Sequence, residues 1–275
     1  MHNRGPLMNR SRLIAVVALV LISLHHATAA GRTDAIVAVK TGYVIGAAND
    51  GHWLDGAKAA ALIKPGASFR VYDLTHELGT ATASKPQSVD EPCPDTQTVK
   101  LSPNRERGAI ALSASWNALP RKPRITDVTQ SVYVEAVREF LGQHGLRQAA
   151  VKIAQVLRVD LDGDGEEEVL ISATNYLAKD GGVPSSAPGG SYSFVLLRRV
   201  VAGKVKTQLV AGEFYPRAKE FNAPNRYSVL AVLDLDGDGK MEVIVDSAYY
   251  EGEATTVYRC TPAKIEELVS TGCGA

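Results

Sequence analysis

Apolar and polar positions along this chain fall into one order that occurs twice. In the first copy a strand-like run at 150–159 enters an acidic loop and 169–173 leaves it. A Gly/Ser/Pro-rich stretch follows at 179–191, and then runs at 193–201 and 204–211 predict a hairpin around Ala202-Gly203-Lys204. In the second copy 227–233 enters an acidic loop and 243–247 leaves it. After a shorter Gly/Glu loop, 255–260 and 264–269 predict the equivalent hairpin around Thr261-Pro262-Ala263. Each copy therefore reads as strand, acidic loop, strand, hairpin, a four-stranded meander of about propeller-blade size.

One helix precedes the repeats. Val132, Tyr133, Ala136, Val137, Phe140 and Leu141 recur at three- and four-residue spacing, which predicts an amphipathic helix over 129–144. Thr129 or Asp127 can cap its start, and Gly145 can supply the left-handed residue at its end.

Upstream the pattern is shorter-ranged. Apolar runs at 35–40 and 109–114, an alternating run at 69–74 and a short run at 98–101 predict strands, and 53–63 has helix-forming composition. Residues 79–97 are rich in Gly, Thr, Ala, Ser, Pro and Asp and read as a loop. Pro120 and Pro123 lie in a basic stretch at 117–124, the expected division. The expected fold is mainly β (α+β overall), with a smaller N-terminal α/β module at 30–124. A repeat domain at 125–275 follows, its repeats at about 150–215 and 225–275.

Residues 1–29 read as a secretory signal. Arg10 and Arg12 precede a twelve-residue apolar run at 13–24, and Ala27-Thr28-Ala29 has the pattern of a cleavage site. The run is short for a ~30 Å hydrocarbon core, and no other stretch is long and apolar enough to cross a membrane. The expectation is a periplasmic or secreted protein with no membrane span after cleavage.

Charge changes the picture once the signal is set aside. Arg4, Arg10 and Arg12 belong to it, which leaves 27 of the 30 basic residues against 30 acidic ones. Without a basic excess, a nucleic-acid partner is not expected. Export to an oxidising compartment favours one disulfide among Cys93, Cys260 and Cys273 with one thiol left over. Cys260 and Cys273 are nearest in sequence, but spacing does not decide the pairing.

The acidic loops carry the clearest chemistry. Asp160-Leu161-Asp162-Gly163-Asp164-Gly165-Glu166-Glu167-Glu168 recurs 74 residues later as Asp234-Leu235-Asp236-Gly237-Asp238-Gly239-Lys240-Met241-Glu242. Asp160, Asp162 and Asp164 stand at positions 1, 3 and 5; Glu166 offers its carbonyl at position 7, and Glu168 a carboxylate at position 9. The second loop offers Asp234, Asp236, Asp238, the carbonyl of Lys240, and Glu242. Oxygen ligands in this number suit Ca2+, one ion per loop. An EF-hand is excluded, because position 12 is Ile171 or Val245 and the flanks are strands. Leu161 and Leu235 at position 2 point to the core. The extra charges of Glu166 and Glu167 predict tighter binding in the first loop.

These loops resemble the calcium loops of FG-GAP/VCBS-type repeats, the blade units of integrin-α-like propellers. The motif D-x-D-x-D-G-x-x-D/E maps onto 160–168 and 234–242, and the likeness covers residues 150–275. Such propellers carry about six or seven blades. With two repeats here, the expectation is two blade-like meanders and not a complete propeller. Calcium is expected to be held mainly as a structural staple, because the ion replaces packing that short blades cannot provide.

No hydrolase, zinc-peptidase or phosphate-loop pattern occurs. Among the mature histidines, His52 lies with Asp50, Trp53 and Asp55 in a turn, read as a small core anchor with helix-capping polar groups. Tyr249, Tyr250 and Glu251, after the second loop, are the surface candidate for a ligand. The functional expectation is a calcium-stabilised binding or envelope-associated module for a protein or glycan, more readily than an enzyme. A secreted hydrolase with an unrecognised N-terminal site is the alternative class. Exposed strand edges leave an oligomer open.

Overall fold

A computed structural model describes residues 1–2, 33–49 and 52–275. The secretory-signal assignment and Asp50 lie outside the described residues. Gly31–Ala275 forms one unit.

The chain opens with β1 (Thr33–Ala38), β2 (Val44–Asn49), β3 (His52–Asp55), the one-turn helix α1 (Gly56–Ala60), β4 (Ser68–Tyr72) and β5 (Glu77–Ala83). Short strands follow: β6 (Gln87–Ser88), β7 (Gln97–Thr98), β8 (Leu101–Ser102) and β9 (Ile110–Leu112). β6 and β7 pair as a ribbon; the others form an antiparallel sheet ordered β3-β2-β1-β9-β4-β5-β8. Its inner strands are apolar on both faces, as their continuous sequence runs require. Ile36, Ile45, Tyr72 and Leu112 face one core, while Val37, Val44, Phe69 and Val71 face another beneath α1.

Two local expectations are corrected here. Residues 53–63 are not one helix. His52–Asp55 pairs with β2 as a strand, and only then does Asp55 cap α1 by accepting from Lys58 N at 2.9 Å. Gly56 makes the junction possible: a Cβ there would sit 2.4 Å from the Val44 carbonyl oxygen. The loop expected at 79–97 also contains most of β5. Pairing to β4 overrides its weak strand composition, because the small side chains of Ala81 and Ala83 bury on one face.

Next come β10 (Arg124–Ile125), α2 (Ser131–Gln143), β11 (Ile153–Val159), β12 (Glu168–Thr174), β13 (Ser191–Val201) and β14 (Lys204–Tyr215). These strands form a sheet ordered β10-β11-β12-β13-β14. The last sheet is β15 (Arg226–Leu233), β16 (Glu242–Tyr249), β17 (Gly252–Cys260) and β18 (Ile265–Gly274), in sequence order. The two repeats are thus separate antiparallel meanders, and the fold is mainly β without a closed propeller. The β13–β14 turn has positive φ at Ala202 and Gly203, the geometry of a tight two-residue hairpin.

α2 packs Tyr133, Val137, Phe140 and Leu141 onto Ile171, Tyr192, Phe194 and Leu196. Val132, expected in that stripe, is exposed. Gln130 occupies the N-cap without a side-chain hydrogen bond; Asp127 instead accepts from Thr129 N at 2.9 Å. The other face of this sheet meets the last sheet and the first one in the largest core, which joins Ile36 and Leu112 to Leu157, Val195, Leu233 and Val257. Ala118 and Leu119, within the expected division at 117–124, are buried in that shared core. A disulfide joins Cys93 to Cys273, and Cys260 is the buried free thiol.

Candidate metal centres

Each acidic loop connects the first two strands of its meander. The register brings Val159 opposite Glu168 and Leu233 opposite Glu242. Position 9 therefore begins the returning strand beside the residue that ends the incoming one. Leu161 and Leu235 drop into the core at 1% and 0% exposure, as expected, and anchor the loops.

The same hydrogen bonds shape both loops. Asp160 Oδ1 accepts from Gly163 N at 2.7 Å and Oδ2 from Gly165 N at 3.1 Å. Asp234 accepts from Gly237 N at 2.7 Å and from Gly239 N at 3.2 Å. Glu168 Oε2 accepts from Leu161 N at 2.8 Å, and Glu242 Oε2 from Leu235 N at 3.0 Å. Gly163, Gly165, Gly237 and Gly239 all have φ between +77° and +91°, where a side chain would be strained.

This frame gathers Asp160, Asp162 and Glu168 into one triad, and Asp234, Asp236 and Glu242 into another. Within each triad the ligand oxygens lie within 4.8 Å of one another. These are positions 1, 3 and 9 of each loop, and both triads are placed to hold a metal ion. Position 5 stands apart: Asp164 Oδ1 accepts from Glu166 N at 2.8 Å, and Asp238 Oδ1 from Lys240 N at 2.7 Å.

Burial sets the electrostatics. Glu242 is 1% exposed; loss of water and the neighbouring Asp236 charge push its carboxyl up to about 8. Burial also raises Asp234 and Asp236, and it raises Glu168 against the opposing Leu161 N–H. Carboxylates crowded out of water favour either protons or a cation.

Sequence reading missed the arginines. Arg199 on β13 has a side chain 2% exposed, with Nη1 3.9 Å from Asp162 Oδ2 and Nε 3.9 Å from Glu168 Oε1. Neither nitrogen has a hydrogen-bond partner, nor has Asp162 Oδ1; Arg199 Nη2 donates to the Cys260 carbonyl. Arg259, the counterpart on β17, comes closer: Nη2 donates to Asp236 Oδ2 at 2.7 Å, and Nε lies 3.6 Å from Glu242 Oε1. β13 carries both Arg198 and Arg199 and β17 carries Arg259 among polar residues, so no local pattern marks which arginine reaches an acidic loop.

Glu167, expected only to add charge to the first loop, is drawn into ion pairs of its own. Its carboxylate pairs with Arg124 at 2.7 Å and Arg158 at 2.9 Å, outside the triad.

Other sequence candidates have local roles. Trp53 packs against the main core beneath the Arg259 guanidinium. His76 neighbours Asp73 and Thr75, and His144 stacks on Phe214. Tyr249 donates to the Ala275 carbonyl at 2.9 Å. Tyr250 is exposed, edge-on to the exposed Phe221 at 5.9 Å, and Glu251 follows it in the turn to β17. Phe221 was not singled out in sequence, because it lies 29 residues before Tyr250.

No helix among the described residues is long and apolar enough to cross a membrane. No family model, curated protein or solved structure matches this chain.

Proposed function

We propose that each loop binds one calcium ion and that the protein is an exported, calcium-stabilised binding module built from two FG-GAP/VCBS-like repeats. The observation that carries this reading is the duplicated triad, built by the same backbone hydrogen bonds in both copies. Its donors are all carboxylate oxygens, which suit a hard cation and not zinc. Glycine-rich loops of this kind suit the larger, less demanding coordination of calcium over the strict octahedron of magnesium. Asp164, Asp238, the carbonyls of Glu166 and Lys240, and water supply the remaining oxygens.

The role of the ion is structural. It neutralises buried carboxylates and ties the first two strands of each meander. The Cys93–Cys273 disulfide supports the oxidising compartment that export implies. The ligand surface is the aromatic group of Phe221, Tyr249 and Tyr250 beside Glu251, open to a protein or glycan.

Thermal unfolding of the full chain with calcium and with a chelator tests the reading. At a free calcium concentration about 100-fold above the dissociation constant, each site adds about 2.7 kcal/mol. Melting is expected to rise by several degrees, and by less in E168Q and E242Q. A melting temperature indifferent to calcium overturns the proposal.

A further inference from the structure

Segment 116–121 touches both acidic loops. Arg121 Nε donates to the Asp160 carbonyl at 2.6 Å, and Nη2 donates to the carbonyls of Leu161 at 3.2 Å and Gly239 at 2.7 Å. The loops are also joined directly, Met241 N donating to the Leu161 carbonyl at 2.8 Å. Asp234 N donates to the Ala118 carbonyl at 2.8 Å, and Trp116 Nε1 to the Asp234 carbonyl at 2.8 Å. Gly237 lies against the Trp116 ring, where an added Cβ would come within 3.2 Å.

From this juxtaposition we infer that the two loops form one coupled unit with Arg121 as its positioning residue, so that a divalent cation bound in either loop raises the affinity of the other. The inference rests on the calcium reading above. An acidic cluster alone does not show a ligand. Arg199 is independent of loop shape: it is almost wholly buried and aims two unpartnered nitrogens at Asp162 and Glu168 across 3.9 Å. Across that gap Arg199 Nε and Nη1 and Asp162 Oδ1 have no hydrogen-bond partner.

The direction of coupling follows from where the shared bonds sit. Leu161 lies between two members of the first triad, and Met241 directly precedes Glu242 of the second. An ion that fixes the first loop fixes the carbonyls of Asp160 and Leu161, the acceptors that Arg121 and Met241 use. The second loop then has less backbone freedom left to lose when its own ion binds. Mutual repulsion of two dications opposes this. Salt screens buried charges only weakly, so the titration reads the net of shared ordering and repulsion.

Calorimetric titration of calcium into the full chain at ~0.15 M salt decides it. The two-ion association constant of the wild type is expected to exceed the product of the single-site constants of E168Q and E242Q by about 5- to 10-fold. The same cycle built on Arg121→Lys is expected to lose that excess, because an ammonium cannot span three carbonyls. Equality in the wild-type cycle overturns the coupling while leaving the calcium sites in place. An excess that survives in the Arg121→Lys cycle overturns the role of Arg121. A wild type that takes up no calcium overturns the underlying reading and the coupling with it. Melting in chelator verifies the fold of each variant, and the wild-type cycle decides the coupling even where Arg121→Lys is unstable.

Discussion

Glu242 and Arg259 show how finely single residues set the second centre. A carboxyl raised to about 8 in the folded chain holds its proton through a range where the unfolded chain has lost it. In calcium-free protein the folded state then binds more protons than the unfolded one between the ordinary carboxylate range and about pH 8. Stability therefore falls as pH rises across that window, with a slope approaching ~1.4 kcal/mol per pH unit. Urea unfolding in chelator at pH 5, 6.5 and 8 checks this; stability that rises with pH contradicts it, and E242Q is expected to flatten the slope. Arg259 acts on the same oxygens, its guanidinium already bonded to Asp236. Calcium must compete with it, whereas Arg199 stays 3.9 Å from its carboxylates. The first loop is therefore expected to bind calcium more tightly, on this ground and not because of Glu167. Arg259→Gln is expected to raise affinity at the second site about 5- to 10-fold, roughly the effect of removing one nearby charge; single-site calorimetry in an E168Q background measures it.

At the level of elements, the acidic loop is a rigid corner whose inner end is a leucine. Leu161→Ala and Leu235→Ala each remove a wholly buried side chain and are expected to destabilise by 2–5 kcal/mol, to be read from denaturant midpoints. Much of this architecture was legible in the sequence. The loop ligands lie within nine residues and the hairpins announce their turns, so local spacing was enough to expect both meanders and the convergence of positions 1, 3 and 9. Position 5 stands apart from the triads, Asp164 and Asp238 each accepting one hydrogen bond within their own turns. Arg121, Arg199 and Arg259 were not legible. They reach the triads only through strand pairing and a chain crossing, and register of that kind has no local signature. Strand β5 was hidden for a related reason: its small residues gain strand structure from the neighbour they pair with.

Across the whole molecule, the large core draws residues from all three major sheets, and the basic stretch at 117–124 runs through it, pinned to both acidic loops. The Cys93–Cys273 bond closes a loop of 180 residues around this assembly. On a chain-entropy account such a crosslink is worth about 5 kcal/mol. Replacing both cysteines by serine is expected to lower the melting temperature by roughly 10 °C or more, and calorimetry with and without reductant provides the check. Buried Cys260 is expected to resist alkylation in the native state and to react only after unfolding.

The last strand has a consequence for how the protein comes into being. β18 lies against β2 and β3, with Val269 packed over Gly46 and the Gly272 carbonyl accepting from Thr96. Strands more than 200 residues apart in sequence thus cover one another. The core beneath α1 closes from the N-terminal sheet and its connections alone, whereas the side of β2 and β3 that meets β18 gains its native cover only when β18 is in place. That contact is among the longest-range in the fold, so closure over β2 and β3 is a late step of folding.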